Sequence, residues 1–518
     1  MKRQMTLSGI PIDFPTFGLP KVTYSLCPEC GQLIKAVLKE KEGRVVMEKK
    51  CPLHGEFEEL ISPDVEFYLQ MEKYFFGDGK GFENPIVEEV DKPCPFNCGI
   101  CARHSSTTAL ANIDLTNRCN LECPVCFADA KRVGYLYEPS FEEICFMLKI
   151  LRERKPIPVP CVQFSGGEPT LHPDFFKILE TAKSMGFSAI QVATNGLKLA
   201  DIEFAKRAKE AGLCSIYLQF DGFDEEIYLK LRGRNLLDIK LKVIENARKV
   251  GMKVVLVPTI ARTVNDKEIG KIVRFAIENV DVISGISFQP IAFTGRFDKK
   301  EREKLRFTLA DLAREIENQV GFIKKSDWLP LCSAVALSHF LSAIFKREVT
   351  AYTCHPHCSS ATYLFVSPEK EAVPVTRFFK MEEFLKRLEK SAQEIKSQPS
   401  PLKILSEAKA FLSLRECFIE EKAPKGLTFR KFLATLFEII SNKYERDESK
   451  VGKKSYRSLM VGGMHFMDVY NYDVERVRRC IIHYVAPNGK MYPFCSYNTG
   501  PTYRELIEKK FSVPFKKD

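Results

Sequence analysis

No stretch of this chain stays apolar for the ~20 residues that a membrane-spanning helix needs. The nearest run, residues 331–345, is about 15 residues long and is interrupted by His339 and several serines. The opening residues, MKRQMTLSGIPIDFP, lack the apolar core of a secretory signal. Internal repeats and low-complexity tracts are missing too. These absences predict a cytoplasmic protein, soluble or in peripheral contact with a membrane. They also remove the secreted setting in which 18 cysteines would read as a disulfide framework. The cysteines come instead in CxxC and CxxxCxxC groups, the spacing of reduced, metal-bound thiols.

Lys and Arg outnumber Asp and Glu, 78 to 67, for a formal charge of +11. Metal centres on the cysteines would lower it. A [4Fe–4S]2+ cube carries about −2 on four thiolates and about −1 on three, so two of the former and one of the latter leave roughly +6. A balance that mild suits anionic substrates or headgroups and gives no argument for nucleic acid. At 518 residues and 45% hydrophobic content, two or three domains with full cores are within reach.

From residue 110 the pattern alternates. Apolar runs at 111–115, 159–164, 189–193, 215–220, 253–258 and 283–290 are separated by amphipathic stretches at 140–153, 174–185, 201–211, 238–250 and 266–279. The first of these opens with Ser140 and Glu143 as a capping box. Six strand–helix units predict an α/β fold with a parallel sheet, helices outside, and active-site residues just past the strand C-termini. Three regions follow: 1–108, with cysteine groups and little regular periodicity; 109–310, with the alternation; and 311–518, with further cysteines. The charged stretch 386–403 reads as a connection or surface helix end, and 443–457 as an exposed loop.

Chemistry concentrates in NIDLTNRCNLECPVCFAD, residues 112–129. Cys119, Cys123 and Cys126 can hold three irons of a [4Fe–4S] cube and leave the fourth without a thiolate. A structural cluster closes its coordination with a fourth cysteine, so an open iron is a place for chemistry. The triplet alone also fits a zinc knuckle or a ferredoxin-like site. What separates these is VQFSGGEPT at 162–170, an apolar strand running into Gly166-Gly167-Glu168.

Together the two motifs resemble the radical S-adenosylmethionine (SAM) enzymes. The resemblance implies a partial (β/α)6 TIM-like barrel flanked by an N-terminal metal-binding region and a C-terminal auxiliary-cluster region. It implies SAM chelated to the open iron, with Cys119, Cys123 and Cys126 as the catalytic ligands. Gly166 and Gly167 let the backbone approach closely, and the Glu168 carboxylate complements the SAM ammonium. Thr194-Asn195 and Gln219-x-Asp221 match positions where the family binds the ribose and the methionyl carboxylate, although ordinary strand-to-helix turns favour such residues too. The family has an aromatic just before the third cysteine. Val125 stands there in this chain, so packing on the adenine is expected to shift to Phe127.

Cys27 and Cys30, with Cys51 and His54, form two knuckles suited to one tetrahedral ion, zinc or a rubredoxin-type iron, as a structural staple. Cys94, Cys98 and Cys101 repeat the x3/x2 spacing without a Gly-Gly-Glu turn, which favours an auxiliary cluster over a second SAM site. Adding Cys332, Cys354, Cys358, Cys480 and Cys495 gives eight thiols, enough for two auxiliary [4Fe–4S] clusters. Cys480 and Cys495 flank an Asn488-Gly489 hairpin, whereas Cys145, Cys161, Cys214 and Cys417 read as ordinary buried residues.

The order CPEC, CPLHG, CPFNCGIC, NRCNLECPVCF, GGEPT, CHPHC, YPFCSYN, spread over residues 27–498, resembles the archaeal tetraether lipid synthase group. That group is related to proteins described as methylating a pterin precursor. The resemblance implies carbon–carbon coupling of terminal methyl groups on the isoprenoid tails of an archaeol-type ether phospholipid. Its alternative is a radical SAM methyltransferase acting on a pterin or other small-molecule precursor. Either would need a low-potential electron donor such as ferredoxin or flavodoxin. Coupling requires two abstractions, with the first radical stored meanwhile, and an auxiliary cluster close to the SAM site could store it. A tail also needs apolar housing, at about 0.8 kcal/mol per CH2. Residues 331–345 are a candidate wall. Phe429, Phe432, Leu433, Leu436, Phe437 and Ile440 fall on one helix face opposite Arg430 and Lys431, which suits either an anionic membrane or the cover of a core.

Overall fold

The computed structural model describes residues 16–77, 79–87, 92–124, 126, 133–293, 299–398, 400–441 and 456–514. Near the N-terminus, β1 (Lys21–Leu26), β2 (Leu33–Lys41), β3 (Arg44–Cys51) and β4 (Gly55–Ser62) form an antiparallel sheet in that order. Regular structure therefore occurs where little periodicity was expected. The alternation of β1 is inverted: Val22 and Tyr24 face solvent at 52% and 55% exposure, while Lys21, Thr23 and Ser25 point inward. The inward polar groups find partners from distant segments. Lys21 pairs with Glu72, and the Thr23 hydroxyl donates to Asp473 at 2.7 Å.

The main sheet begins with β5 (Leu110–Thr116). After the short β6 (Tyr135–Tyr137) come β7 (Cys161–Gly166), β8 (Ala189–Thr194), β9 (Ser215–Gln219), β10 (Lys253–Val257), the two-residue β11 (Thr259–Ile260) and β12 (Ile283–Pro290). Strands β5, β7, β8, β9, β10 and β12 lie side by side and parallel, as the six expected units. Helices Phe141–Arg152, Phe175–Ser184, Ile202–Ala211, Leu237–Val250 and Ile269–Glu278 return the chain between them. The Ser140–Glu143 capping box starts the first helix, and left-handed Gly212 and Gly251 end two others.

The C-terminal segment widens this sheet at both edges. It contributes β13 (Leu329–Pro330), β14 (Ser359–Val366), β15 (Ala372–Pro374), β16 (Arg457–Met464), β17 (Ile482–Val485), β18 (Met491–Pro493) and β19 (Ser512–Pro514). Strand β16 pairs parallel to β12 and carries β14 antiparallel beyond it. On the other edge β17 pairs parallel to β5, and β17 and β18 form the expected hairpin around Asn488–Gly489. The path runs from β13 to β18 without closing, an open barrel.

The two faces of the sheet differ in chemistry. Ile113, Phe164, Val192, Ile216, Leu256 and Phe288 point outward into one continuous core beneath the helices. Register puts the alternate residues on the concave side: Asn112 opposite Gln163 opposite Gln191, and Tyr217 opposite Val255. These inward groups are amides, hydroxyls and small apolar side chains. Tyr352 and Tyr363 keep 37% of their surface open, and burial raises both phenol pKa values.

Residues 386–403 hold the end of helix Met381–Ser397 and the start of helix Ser400–Arg415, a helix end as one of the two readings had it, and the charges of the first helix lie outside a buried stripe of Phe384, Leu388, Ala392 and Ile395. The apolar run 331–345 becomes a 3-10 turn and helix Val335–Phe345. Its Ala336, Phe340 and Ala343 pack in a second core with Phe365, Phe378 and Phe432. In helix Phe429–Ser441, Phe429 and Leu433 cover the same core. The side chains of Leu436, Phe437 and Ile440 lie outside the described residues, as does most of 443–457. Among the described residues no helix is long and apolar enough to cross a membrane.

Buried charge fastens the N-terminal sheet to the barrel. Arg306 lies between Glu59 of β4 (2.7 Å) and Asp468 (2.7 Å), all three shielded from water. Lys49 of β3 donates to Ser25 Oγ and to the Leu26, Val469 and Tyr470 carbonyls. Removing one member of a buried ion group strands the others. Arg306→Met should therefore cost about 3–5 kcal/mol in thermal unfolding. Arg248→Met, at the exposed pair with Asp281, should cost at most about 1 kcal/mol.

Candidate active site and metal centres

The loop after β5 and the turn after β7 meet at van der Waals limits. A Cβ on Gly166 would lie 2.2 Å from the Thr116 carbonyl, and one on Gly167 would lie 2.3 Å from that of Arg118. The Gly167 and Glu168 N–H groups donate to those same two carbonyls, each at 2.7 Å. Only glycines permit this approach. It sets the Gly-Gly-Glu turn against the loop that carries Cys119, Cys123 and Cys126. Burial pushes the Cys119 thiol up to about 12, against an opposing Leu121 N–H and with help from Glu168, Cys126 and Cys123 nearby. Such a group gives up its proton only to a cation, so the donor set fits a metal cluster. Val125 and Phe127 lie outside the described residues.

Glu168 is fully buried, and protein donors occupy its carboxylate. Oε1 accepts from the Thr170 hydroxyl (2.6 Å), the Thr170 N–H (3.2 Å) and the Thr194 hydroxyl (2.8 Å), and Oε2 accepts from the Asn195 N–H (2.9 Å). Oε1 is filled by these bonds, whereas Oε2 accepts only one and keeps room for a second donor. Glu168 therefore ties the ends of β7 and β8 together and still has an acceptor, beside the turn's carbonyls, for an ammonium. Asn195 Nδ2 donates to Asn120 Oδ1 at 2.7 Å, joining the Thr194-Asn195 turn to the cysteine loop.

Past β9, Asp221 accepts both arms of the Arg232 fork (2.7 and 2.9 Å) and the Thr259 N–H, and Gln219 bonds to it as well. Burial works against the Arg232 charge, but Asp221 and the Cys123 thiol more than offset it, and the arginine stays protonated. Lys240 donates to the Asn195 carbonyl and to Gln219 Oε1 (2.8 Å). Burial lowers its pKa to about 7, against the pull of Asp221. Gln219 and Asp221 thus present two cations, Lys240 and Arg232, beside the cysteine loop. Sequence reasoning missed both. The signal for Lys240 was a charge inside the apolar stripe it shares with Val243, Ile244 and Ala247.

Cys27, Cys30, Cys51 and His54 form a compact set, their ligand atoms all within 4.8 Å of one another. Edges of 3.5 Å (Cys51–His54), 3.7 Å (Cys27–His54) and 3.9 Å (Cys30–Cys51) match the roughly 3.8 Å edge of a tetrahedron with 2.3 Å bonds. N–H groups of Leu53 and His54, with the His54 ring, outweigh burial and bring Cys51 down to about 6, ready to bind a cation at neutral pH.

The eight remaining predicted ligands gather in two adjacent groups. Cys94, Cys98 and Cys101 line one small cavity with Arg103, His104 and Arg478. Cys332, Cys354, Cys358 and Cys480 form the other: after burial, Cys332, Cys358 and Cys480 all raise the Cys354 thiol pKa. Cys495 stands at the seam, next to Cys480 and Cys358, and packs around the same residues as Cys94 and Cys98. Cys480 does not lie at the SAM end. Cys480 precedes β17, whose Ile482 pairs with Leu110 at the start of β5, whereas Cys119 follows the end of β5. The length of that strand, roughly 20 Å, lies between.

Two outcomes check this layout. Lys240→Met leaves two buried acceptors unpaired, so 5′-deoxyadenosine formation at limiting SAM should fall roughly ten- to hundredfold with iron content unchanged. Cys30→Ser should remove one metal equivalent by elemental analysis and lower the melting temperature, while SAM cleavage persists in the folded fraction.

Comparison with known proteins agrees with the SAM-end site and with the N-terminal metal site. A family model described as the radical SAM superfamily matches residues 113–276, and one described as the HMPTM N-terminal zinc ribbon domain matches residues 19–63. A Methanocaldococcus jannaschii protein named 7,8-dihydro-6-hydroxymethylpterin dimethyltransferase is 44% identical over 499 residues, 96% of each chain. The Fe-coproporphyrin III synthase of Methanosarcina barkeri is 34% identical over 37% of this chain and 46% of its own. Among solved structures, Streptococcus suis SuiB bound to S-adenosylmethionine is 19% identical over 58% of this chain and 69% of its own, with a TM-score of 0.33. On its full-length identity to the Methanocaldococcus protein, the chain belongs to the 7,8-dihydro-6-hydroxymethylpterin dimethyltransferase family of radical SAM enzymes.

Proposed function

We propose that the protein is a radical SAM methyltransferase that replaces C–H bonds of a reduced pterin precursor with C–CH3. The observation that carries this reading is the 44% identity, end to end, with a protein named for that reaction. The concave face supports it: Asn112, Gln163 and Tyr217 form a polar lining bonded within itself, Gln163 Oε1 is left without a partner, and there is little housing for a hydrocarbon tail. Both apolar stripes considered for a lipid contribute to the second core instead. Coupling of ether-lipid tails, the leading expectation from sequence, has no comparable support.

When bound, a three-thiolate [4Fe–4S] cluster and SAM supply a 5′-deoxyadenosyl radical. The chain's own part is placement. Cys119, Cys123 and Cys126 hold the cluster; Gly166 and Gly167 offer carbonyls to the ammonium; Thr194 and Asn195 face the ribose. Arg232 and Lys240 neutralise the methionyl carboxylate. The two distant thiol groups hold auxiliary clusters, fed by a low-potential donor in the cytoplasm.

Anaerobic incubation with SAM, a strong reductant and 7,8-dihydro-6-hydroxymethylpterin tests the proposal. The expected products are 5′-deoxyadenosine and a pterin heavier by one CH2 per methyl added, both lost in Cys119→Ala. S-adenosylhomocysteine would identify a second SAM as the methyl donor. An unchanged pterin, together with an archaeol phospholipid two hydrogens lighter per new bond, would overturn methylation in favour of tail coupling.

A further inference from the structure

Helix Val474–Arg478 and the residue after it carry three arginines, Arg476, Arg478 and Arg479, in the segment that separates the two distant thiol groups. Each lies beside a different predicted ligand. Arg476 Nε donates to Cys358 Sγ at 3.5 Å, while Arg478 and Arg479 lower the thiol pKa values of Cys94 and Cys332. Arg478 also pairs with Glu475 at 3.0 Å.

Arg476 is the informative one. It is only 9% exposed, and among the described residues no carboxylate reaches its guanidinium within salt-bridge distance. Its bonded partners are the Cys358 sulfur and the His465 carbonyl. Burial opposes its charge, and Cys358 and Cys495 are foremost among the groups that restore it. Asp473 also attracts it, from beyond salt-bridge distance. A buried guanidinium with so little direct pairing is costly, and negative charge on the sulfurs around it lowers that cost. Protonated thiols do not supply that charge, whereas thiolates bound to iron do. Cys358 belongs to one thiol group, and Cys495 stands at the seam with the other.

We propose that Arg476 is a positioning residue shared by two auxiliary clusters, a single buried cation that holds both in their more easily reduced form and couples their potentials. This rests on the reading above that both thiol groups hold clusters. The physical basis is ordinary. Reduction makes a cluster more negative, so a fixed positive charge and an N–H···S bond at its edge stabilise the reduced state and raise the potential. One cation between two clusters also makes reduction of the first disfavour reduction of the second.

The test uses the anaerobically reconstituted full-length holoenzyme, with iron counted and cluster potentials read by EPR-monitored redox titration. In Arg476→Gln, iron should stay at about twelve atoms in clusters, and both auxiliary midpoints should fall by at least tenfold in the one-electron equilibrium, about 59 mV. The midpoint of the cluster on Cys119, Cys123 and Cys126 should not move. Arg476→Lys keeps the charge and should recover most of the shift. Full iron with unmoved auxiliary midpoints would overturn the assignment. So would equal loss of iron in Arg476→Gln and Arg476→Lys, which would mark a packing role. Wild-type protein with only about four cluster irons would instead remove the two-cluster reading, and the arginine's role with it.

Discussion

The active end of this protein depends on one buried carboxylate. Glu168 accepts hydrogen bonds from its own turn, from the Thr194 hydroxyl and from the Asn195 N–H, and so locks the ends of two neighbouring strands. The glycines before it press that junction onto the carbonyls of Thr116 and Arg118, at the root of the cysteine loop. A cluster with one iron free of protein is usable only if its three ligands and the substrate-binding turns stay in register. Here register is imposed by backbone contact too tight for any Cβ, and by a carboxylate that accepts four hydrogen bonds from two strand ends. Placing the motif at strand ends lets a rigid sheet carry loops whose own sequence has little to fold on.

Buried charge repeats as a device at three scales. Asp221 holds Arg232 beside the cysteine loop. Arg306 binds the N-terminal sheet to the barrel through Glu59 and Asp468. Arg476 addresses sulfur, and among the described residues no carboxylate lies within salt-bridge distance of it. The first two are paired ions whose desolvation is offset by two short bonds each. The third has only the more distant Asp473, so with clusters bound as proposed the region around residues 354–358 and 473–480 would depend electrostatically on its iron. Folding and cluster loading are therefore expected to be linked at this end far more than at the SAM end, where the cation already has its carboxylate.

The barrel was legible because its strands obey simple physics. Each is an apolar run packed under helices, so Ile113, Phe164, Val192 and Ile216 announce themselves. The cysteine spacing and the Gly-Gly-Glu turn were legible for the same local reason. What escaped depends on partners far away in sequence. Strand β1 buries Lys21 and Thr23 because Glu72 and Asp473 await them, which inverts the polarity used to read a strand. Lys240 hid in a helix taken as ordinary cover. The stretch 386–403 left a linker open beside a helix end because its charges were counted and its buried stripe at i, i+4 was not. The edge strands β14, β16 and β17 gave no signal that they would join the barrel, since pairing across such separations is set by the whole fold.

The distance between the metal-binding ends bears on what the auxiliary thiols can do. Cys480 and its neighbours sit at the N-terminal end of β5, and the SAM cysteines lie past its C-terminal end, roughly 20 Å away. A bicyclic heterocycle held at the SAM end cannot touch both. A substrate of that size held at the SAM end would not reach a cluster on Cys480, and such a cluster would serve electron transfer or structural support. The concave face is a polar network that already bonds within itself, Gln163 to Asn112 and Tyr217 to Ser287 and Gln289. Substrate polarity and cluster role are thus one question in this fold: under the proposed function a small polar substrate goes with a cluster pair whose work is done with electrons.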